Sequence, residues 1–300
     1  MNLSIIIVNW NTRALLARCL ESVYETVRDL TFEVFVVDNA SSDGSAEMVR
    51  ARFPQVRLIE NRENVGFAAA NNQAIPLAAG RYVLLLNPDT VVLEGAVAEL
   101  VRFAEGHRTT GACGPRLLNA DGSLQPSCHP MLTPWREFWR LAFLERLWRR
   151  ATYDMAAWDP TRPREVEVIK GACLLLRREA LDGVGLLDER YFMYSEEMDL
   201  CYRLSRAGWR LYWVPGARVV HYGEGSSKQL ARSMYVELYR SKAQFYRKVG
   251  GRGWVLWFKS LLALAYGPRL VACALSGLFA RDLAERAHTY GRLLATLPRM

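Results

Sequence analysis

Six titratable side chains stand where apolar runs give way to polar loops. Asp38 follows VFVV, Asp89 follows YVLLLNP, and Glu196, Glu197 and Asp199 crowd four positions behind the aromatic run YFMY. His221 closes RVVH, with Gly223, Gly225, Ser226 and Ser227 after it. Carboxylates do two jobs in group transfer. One kind holds Mg2+ or Mn2+, oxygen-seeking ions that keep substrate phosphates among their ligands, and Asp89 suits that task. The other kind sits against an apolar wall, where its pKa rises toward the working range of a general base, and the 196–199 acids suit that. A histidine at a strand end before a Gly/Ser loop suits a metal or phosphate ligand. Ordinary structural uses exist too: Ser195 is placed to cap a helix carrying both glutamates in its first turn, and Asp199 and Arg203 have ion-pair spacing.

These residues need a scaffold that brings them to one edge. Ser4–Val8, Val34–Val37, Val56–Ile59 and Tyr82–Leu86 are short, nearly continuous apolar runs, as in strands covered on both faces. Between them Thr12–Val27, Ser45–Phe53 and Phe67–Ala79 carry apolar residues at helical spacing. This alternation predicts a mainly parallel α/β sheet with flanking helices, whose ligands bind at the carboxyl ends of the strands. The loops there are rich in Asn, Asp and Ser: NWNT after the first strand, DNASSDGS after the second, Asn61–Gly66 after the third and NPDT after the fourth. One such loop is an ordinary turn, whereas four on one edge point to a polar pocket. No GxGxxG or GxxxxGK[ST] is present, so a diphosphate would need its countercharge from elsewhere. Further on, Glu167–Arg177 predicts two short strands broken at Gly171, where a missing side chain lets a ligand reach the backbone. Trp209–Tyr222 predicts two strands, and Trp135, Trp139, Leu141, Leu144 and Leu147 predict an amphipathic helix.

Composition removes several function classes. The 300 residues are 51% hydrophobic and 23% charged, which is globular composition. The net charge of +8 is unevenly spread: residues 231–300 hold 12 Lys+Arg against 3 Asp+Glu, leaving 27 against 28 before them. A near-neutral body argues against nucleic acid, which requires clustered cations across a groove. The missing glycine fingerprint argues against a nicotinamide dehydrogenase. Six cysteines without CxxC spacing predict free thiols, and an opening with no basic n-region predicts no secretory signal. Together these predict a cytoplasmic protein. No uninterrupted apolar run reaches the ~18 residues of a spanning helix, but Met234–Gly250 and Trp254–Ala280 are basic and aromatic or apolar at helical spacing. They suit helices packed on the body or on a second subunit of a homodimer, or docking on an anionic membrane.

Taken together, SIIIVNWNT, VVDNASSDGS, NVGFAAANNQ, LLLNPDT, KGACLLLR, DERYFMYSEEMDLCYRL and VVHYGEGSS resemble, in order across residues 3–227, the family 2 glycosyltransferases. The likeness is strongest to the bacterial rhamnosyltransferase-type branch that builds surface polysaccharides. The resemblance implies a GT-A fold over residues 1–228, with a nucleotide-sugar half (1–118) and an acceptor half (119–228), and a helical region over 229–300. It implies inversion at the anomeric carbon and a divalent metal, Mg2+ or Mn2+. It assigns Val8, Asn9, Asn11 and Asp38 to the nucleotide, with Asn64, Gly66, Phe67, Asn71, Asn87, Asp89 and Gly171 completing the nucleotide-sugar site. It assigns Asp89 and His221 to the metal and Glu197 to the base, ahead of Glu196 and then Asp199. The first acid of the family's Asp-x-Asp pair is here the amide Asn87, so metal ligation falls chiefly on Asp89. The implied donor is dTDP-rhamnose, with UDP-linked galactofuranose, glucose or N-acetylglucosamine as alternatives, and the implied acceptor is a saccharide or a polyprenyl-diphosphate-linked saccharide at the cytoplasmic face of the membrane. A non-catalytic sugar-binding module would lack these acids.

Overall fold

The computed structural model describes residues 1–142, 152–223, 231–276 and 281–300. Its first half builds as the hydrophobic pattern requires. Strand β1 (Leu3–Asn9) is buried along all seven residues, which accounts for its unbroken apolar run. Helix α1 (Arg13–Thr26) buries Leu16, Cys19, Leu20 and Val23, one face at i, i+3, i+4, i+7 spacing. β2 (Phe32–Asp38), α2 (Ser45–Arg52), β3 (Arg57–Glu60), α3 (Phe67–Ala74) and β4 (Tyr82–Leu86) follow. β1 runs parallel to β2 and β4, with Ile7 in register with both Val36 and Leu86.

The sheet then changes character. β5 (Thr90–Val92), α4 (Ala96–Gly106), β6 (Thr110–Leu118), β7 (Cys128–His129), α5 (Pro134–Leu141), β8 (Arg164–Glu165), β9 (Val168–Ile169), β10 (Cys173–Arg177), α6 (Arg178–Val184), α7 (Glu196–Arg206) and β11 (Arg210–His221) complete it. The strand order is β3-β2-β1-β4-β10-β6-β11-β5, with β8 on β11. β10 is antiparallel to both β4 and β6, and β5 and β8 are antiparallel to β11, so the sheet is mixed beyond its parallel first four strands. The strands expected on either side of Gly171 are β9 and β10. Trp209–Tyr222 forms one strand rather than two, because its Pro-Gly step is absorbed as a register shift between Val214 and Arg218 against β6. Five cysteines are buried, Cys273 is half-buried, and all six are free.

The chain divides into two compact units. The first contains the sheet: Met1–Met131, Asp154–Phe192 and Glu196–Gln229. The second is helical: Leu132–Tyr153, Met193–Ser195 and Leu230–Met300. It therefore includes α5, which Thr133 caps by accepting from Arg136 N at 3.2 Å. Leu144 and Leu147, expected to extend α5, lie outside the described residues. α8 (Ala231–Ser276) breaks its helical course at Gly251 (φ 69°, ψ −163°), and α9 (Arg281–Thr296) packs back on it. Tyr239, Tyr246, Phe258, Leu262, Tyr266 and Leu293 form the shared core. Fully buried within this unit, Glu137 accepts from Lys242 Nζ at 3.1 Å and pairs with Arg140. Burial opposes its charge, but the two cations outweigh burial and hold the carboxyl below its ordinary range. By length and composition Met234–Ser276 passes as a spanning helix, which a count of uninterrupted apolar residues had excluded.

Candidate active site

At the carboxyl ends of β1 and β2 the polar loops are tied to one another. Asn9, fully buried, donates from Nδ2 to Asp38 Oδ1 (2.8 Å) and Ser41 Oγ (3.1 Å), and accepts from Thr12 Oγ1 (2.6 Å). Asp38 Oδ2 accepts from Ser41 N at 2.9 Å, and Asn11 Oδ1 from Ser42 N at 2.7 Å. Val8, Asn9 and Asp38 therefore brace the edge from beneath, while Asn11 stands half-buried at its rim. From there a groove of about 620 Å3 opens along Thr12, Arg13, Asp43, Met48 and Arg52. Asn11 and Ala40 hold positive φ (52° and 60°), as do Tyr194 and Ser195 (both 69°), so four of the five such non-glycine residues described lie in the loops singled out above.

The third loop docks on the segment before the acids. Gly66 N donates to Asn64 Oδ1, Asn39 Nδ2 donates to Gly66 O, and Phe67 N donates to Phe192 O at 2.8 Å. Gly66 has φ +86°, and a Cβ there would meet Phe192 O at 2.4 Å, so only glycine permits this approach. Asn71 is buried one turn along α3, donating to Phe67 O.

The metal candidates meet at the fourth strand end. β11 pairs with β5 so that His221 faces Thr90, and Tyr222 N donates to Asp89 O at 3.0 Å. His221 Nε2 lies 3.3 Å from Asp89 Oδ1 and 3.5 Å from Asn87 Nδ2. Among the described residues no group of three or more His, Cys, Asp or Glu could hold a metal. One carboxylate and one imidazole at this spacing fit a Mg2+ or Mn2+ ion that takes its remaining ligands from substrate phosphates and water. Gly225, Ser226 and Ser227 lie outside the described residues.

One backbone link joins this edge to the acid pair. Asn87 N donates to Ala172 O at 2.9 Å, and a Cβ on the neighbouring Gly171 would lie 3.7 Å from Cβ of Glu197 and 3.8 Å from Cε1 of Phe67. Those are ordinary contacts, so packing does not require a glycine there: a methyl group fits between Phe67 and Glu197. Glu196 and Glu197 open α7. The Oε2 atom of each is buried with no hydrogen-bond partner among the described residues. Burial pushes both carboxyls above their ordinary range. Glu196 moves further, because burial is compounded by the charge of Glu197 beside it, whereas the Lys170 ammonium restrains Glu197. The pair thus takes up charge less readily than two isolated glutamates, with Lys170 favouring the charge on Glu197.

Asp199 is placed differently. It is fully buried and paired with Arg203 (2.8 Å), whose guanidinium also donates to the carbonyls of Val184, Gly185 and Leu186. That is the i,i+4 pair allowed by spacing, extended into a clamp on the loop after α6. Ser195 does not cap α7: its backbone is left-handed and Oγ makes no hydrogen bond among the described residues. Two participants escaped sequence reasoning. Lys170 carried no signal beyond adjacency to Gly171. Gln125 sits in a surface-type turn, yet its amide bonds the His221 ring.

Comparison with known proteins gives the family and the fold. Residues 4–185 match the glycosyl transferase family 2 model. Over 204 residues the chain is 36% identical to an N-acetylglucosaminyl-diphospho-decaprenol L-rhamnosyltransferase of Mycobacterium tuberculosis, covering 63% of this chain and 66% of that protein, just under two thirds of its length. A rhamnosyltransferase of Escherichia coli K12 is 25% identical over 170 residues, 54% of this chain and 63% of that one. Among solved structures, a Pyrobaculum calidifontis mannosyltransferase in complex with GDP-Man and Mn2+ superposes with a TM-score of 0.55 at 20% identity, covering 98% of this chain and 85% of that one. The chain belongs to glycosyltransferase family 2 and has the GT-A fold.

Proposed function

We propose that the protein is an inverting hexosyltransferase, moving L-rhamnose from dTDP-rhamnose to a saccharide or polyprenyl-diphosphate-linked saccharide in surface polysaccharide synthesis. The observation that carries this reading is the pair of buried Glu196 and half-buried Glu197, joined through Gly171 and Ala172 to the Asn87–Asp89 strand end. The rhamnose assignment is supported by the names of the relatives. Glu197, ionised, takes the proton of the acceptor hydroxyl. That oxygen attacks the anomeric carbon from the face opposite the diphosphate, and the departing C–O electron pair leaves with the diphosphate. Glu196 keeps its proton and adds no negative charge. Asp89 and His221 would hold the divalent cation, which when bound offsets the charge gathering on the leaving diphosphate. The missing side chain at Gly171 lets the sugar approach the backbone beside Glu197, and Asn11 at the rim faces the nucleotide. Asp199 holds α7 in place through Arg203 and takes no proton. The test is release of nucleoside diphosphate from dTDP-rhamnose, UDP-galactofuranose, UDP-glucose and UDP-N-acetylglucosamine, with and without Mn2+. Metal-dependent turnover of the dTDP donor is expected; turnover of a UDP donor alone replaces the sugar assignment, and no turnover of any donor refutes the enzyme reading.

The helical unit gives this chemistry an address at the membrane. Leu256, Leu264, Val271 and Leu275 are 63, 74, 59 and 64% exposed, and at about 100° per residue they fall within one arc of α8. The other residues of that arc, Ser260, Ala263, Gly267 and Ala274, are uncharged. Arg252 and Lys259 border one side and Trp257 the other. The opposite face (Val255, Phe258, Leu262, Tyr266) is buried in the unit's own core, so the helix is apolar outward and packed inward. Such a helix lies in the interface of an anionic bilayer rather than crossing it. Full-length protein is expected to float with anionic liposomes and the Leu264→Glu/Leu275→Glu variant to stay behind; equal flotation removes the membrane reading.

A further inference from the structure

The imidazole of His221 is held by a residue outside every loop singled out from the sequence. Gln125 lies just past the turn that follows β6, where Gln125 N donates to Leu117 O and Asn119 N to Ser123 O. Its side-chain Nε2 donates to the His221 carbonyl (3.0 Å) and to Asn119 Oδ1 (2.9 Å), and its Oε1 lies 2.7 Å from His221 Nδ1. The orientation of the amide follows from chemistry. A backbone carbonyl only accepts, so the amide nitrogen must face it and Oε1 must face the ring. An oxygen in that place accepts a proton from Nδ1. In the neutral ring the remaining lone pair is then on Nε2, the atom 3.3 Å from Asp89 Oδ1.

We infer that Gln125 is the positioning residue of the metal site: it fixes His221 as the Nδ1–H tautomer and aims the Nε2 lone pair at the space shared with Asp89. Without it the ring is free to turn or to carry its proton on Nε2, and a protonated Nε2 cannot ligate. Gln125 does this without adding a charge, which an aspartate or glutamate in the same place would. The sequence hides the contact because it spans 96 positions and joins a turn to a strand end. It becomes local only when β6 and β11 pair, bringing Leu118 level with Val220.

The metal part of this inference rests on the proposed function, and the tautomer part stands apart from it. Long-range 1H–15N correlation spectra of the metal-free full-length protein report which ring nitrogen carries the proton. His221 is expected as Nδ1–H in the wild type, to lose that preference in Gln125→Leu, and to recover it in Gln125→Glu, whose carboxylate still accepts. An Nε2–H tautomer in the wild type overturns the proposal whether or not any variant folds, and so does an unchanged tautomer in Gln125→Leu. Mn2+ titration followed by electron paramagnetic resonance, with dTDP present, is expected to show affinity reduced about 10- to 100-fold in Gln125→Leu, the usual effect of removing a ligand's supporting hydrogen bond. Equal affinity also overturns it. A wild type that binds no Mn2+ with dTDP refutes the metal reading of Asp89 and His221, while the spectra still decide the role of Gln125.

Discussion

Glu197→Gln tests the acid assignment most directly, because the substitution keeps shape and removes only the ability to take a proton. Its surroundings set the expected magnitude. The Cβ of Glu197 makes an ordinary contact distance with the space beside Gly171, and one carboxyl oxygen has no protein partner among the described residues, so the amide fits without displacing a neighbour. Donor affinity should hold. Turnover should fall by about 10²- to 10⁴-fold, the usual worth of general-base assistance, equivalent to about 3–5 kcal/mol of barrier. Glu196→Gln is the paired control. Held protonated by burial and by its neighbour, Glu196 is already an uncharged acceptor and donor, and the amide reproduces it; turnover should change little. The two variants also separate in stability. Unfolded, Glu196 ionises in the ordinary glutamate range, whereas folded it keeps its proton to higher pH. Its contribution to stability is therefore complete below the unfolded pKa and lost as pH rises through the folded one. Glu196→Gln should thus melt above the wild type at pH 8, with the gap closing near pH 4. Nucleoside diphosphate release, calorimetric donor binding and melting curves measure all three quantities. Equal damage from both substitutions, or full turnover in Glu197→Gln, would refute the division of labour.

Lys170→Met removes the cation that restrains Glu197, so the acid limb of kcat/KM should move to higher pH; a limb that stays or moves down denies the coupling. Gly66→Ala should cost about 1–3 kcal/mol for a conformation reserved to glycine, before the collision with Phe192 O is counted, as urea unfolding will show. Gly171→Ala, by contrast, should fold as stably as the wild type and lose transfer activity, since its methyl group fits the packing and occupies the space beside Glu197; normal activity would remove Gly171 from the site. Asp199→Asn leaves the Arg203 guanidinium without its buried partner and should cost about 3–5 kcal/mol of stability, while the pH limb set by Glu197 stays where it was.

The parallel part of the sheet was legible because β1, β2 and β4 are buried and their apolar runs are continuous in sequence; β3, expected to be covered in the same way, is an edge strand with Arg57 and Glu60 exposed. Pairing across the second half was not. β10 lies antiparallel between β4 and β6, and nothing in CLLLR distinguishes that from a fifth parallel strand. The Pro215–Gly216 step looked like the end of a strand because proline removes a ladder donor, whereas the bulge against β6 accommodates it. Within the candidate site, Asp38, Asp89 and His221 stand at or next to strand ends and Glu197 at the start of α7, positions where residue type alone drew attention. Lys170 and Gln125 act on residues 27 and 96 positions away, so their types at their own positions announce nothing. Asp199 illustrates the opposite case: acid density pointed to chemistry, and the structure pairs it with its i+4 neighbour Arg203.

On the proposed reading, a diphosphate meets an edge that leaves out carboxylates its geometry would accommodate. At three points a neutral group stands where a carboxylate would serve the same geometry: Asn87 beside Asp89, Gln125 behind His221, and Glu196 holding its proton beside Glu197. Each additional charge there would repel a phosphate about 8 Å away by about 2 kcal/mol at an effective dielectric of 20. Three would cost more than a typical nucleotide contact returns. Between the metal candidates and the acid pair, Asp89 and Glu197 face Lys170, and a divalent cation would turn that local balance positive. On the proposed reading, a bound divalent cation would add to the charge that Arg13 and Arg52 present along the groove. On that reading residues 1–230 can be nearly neutral and still meet a charged leaving group, while the cations the sequence carries in excess lie after residue 230, in the region with the exposed apolar stripe.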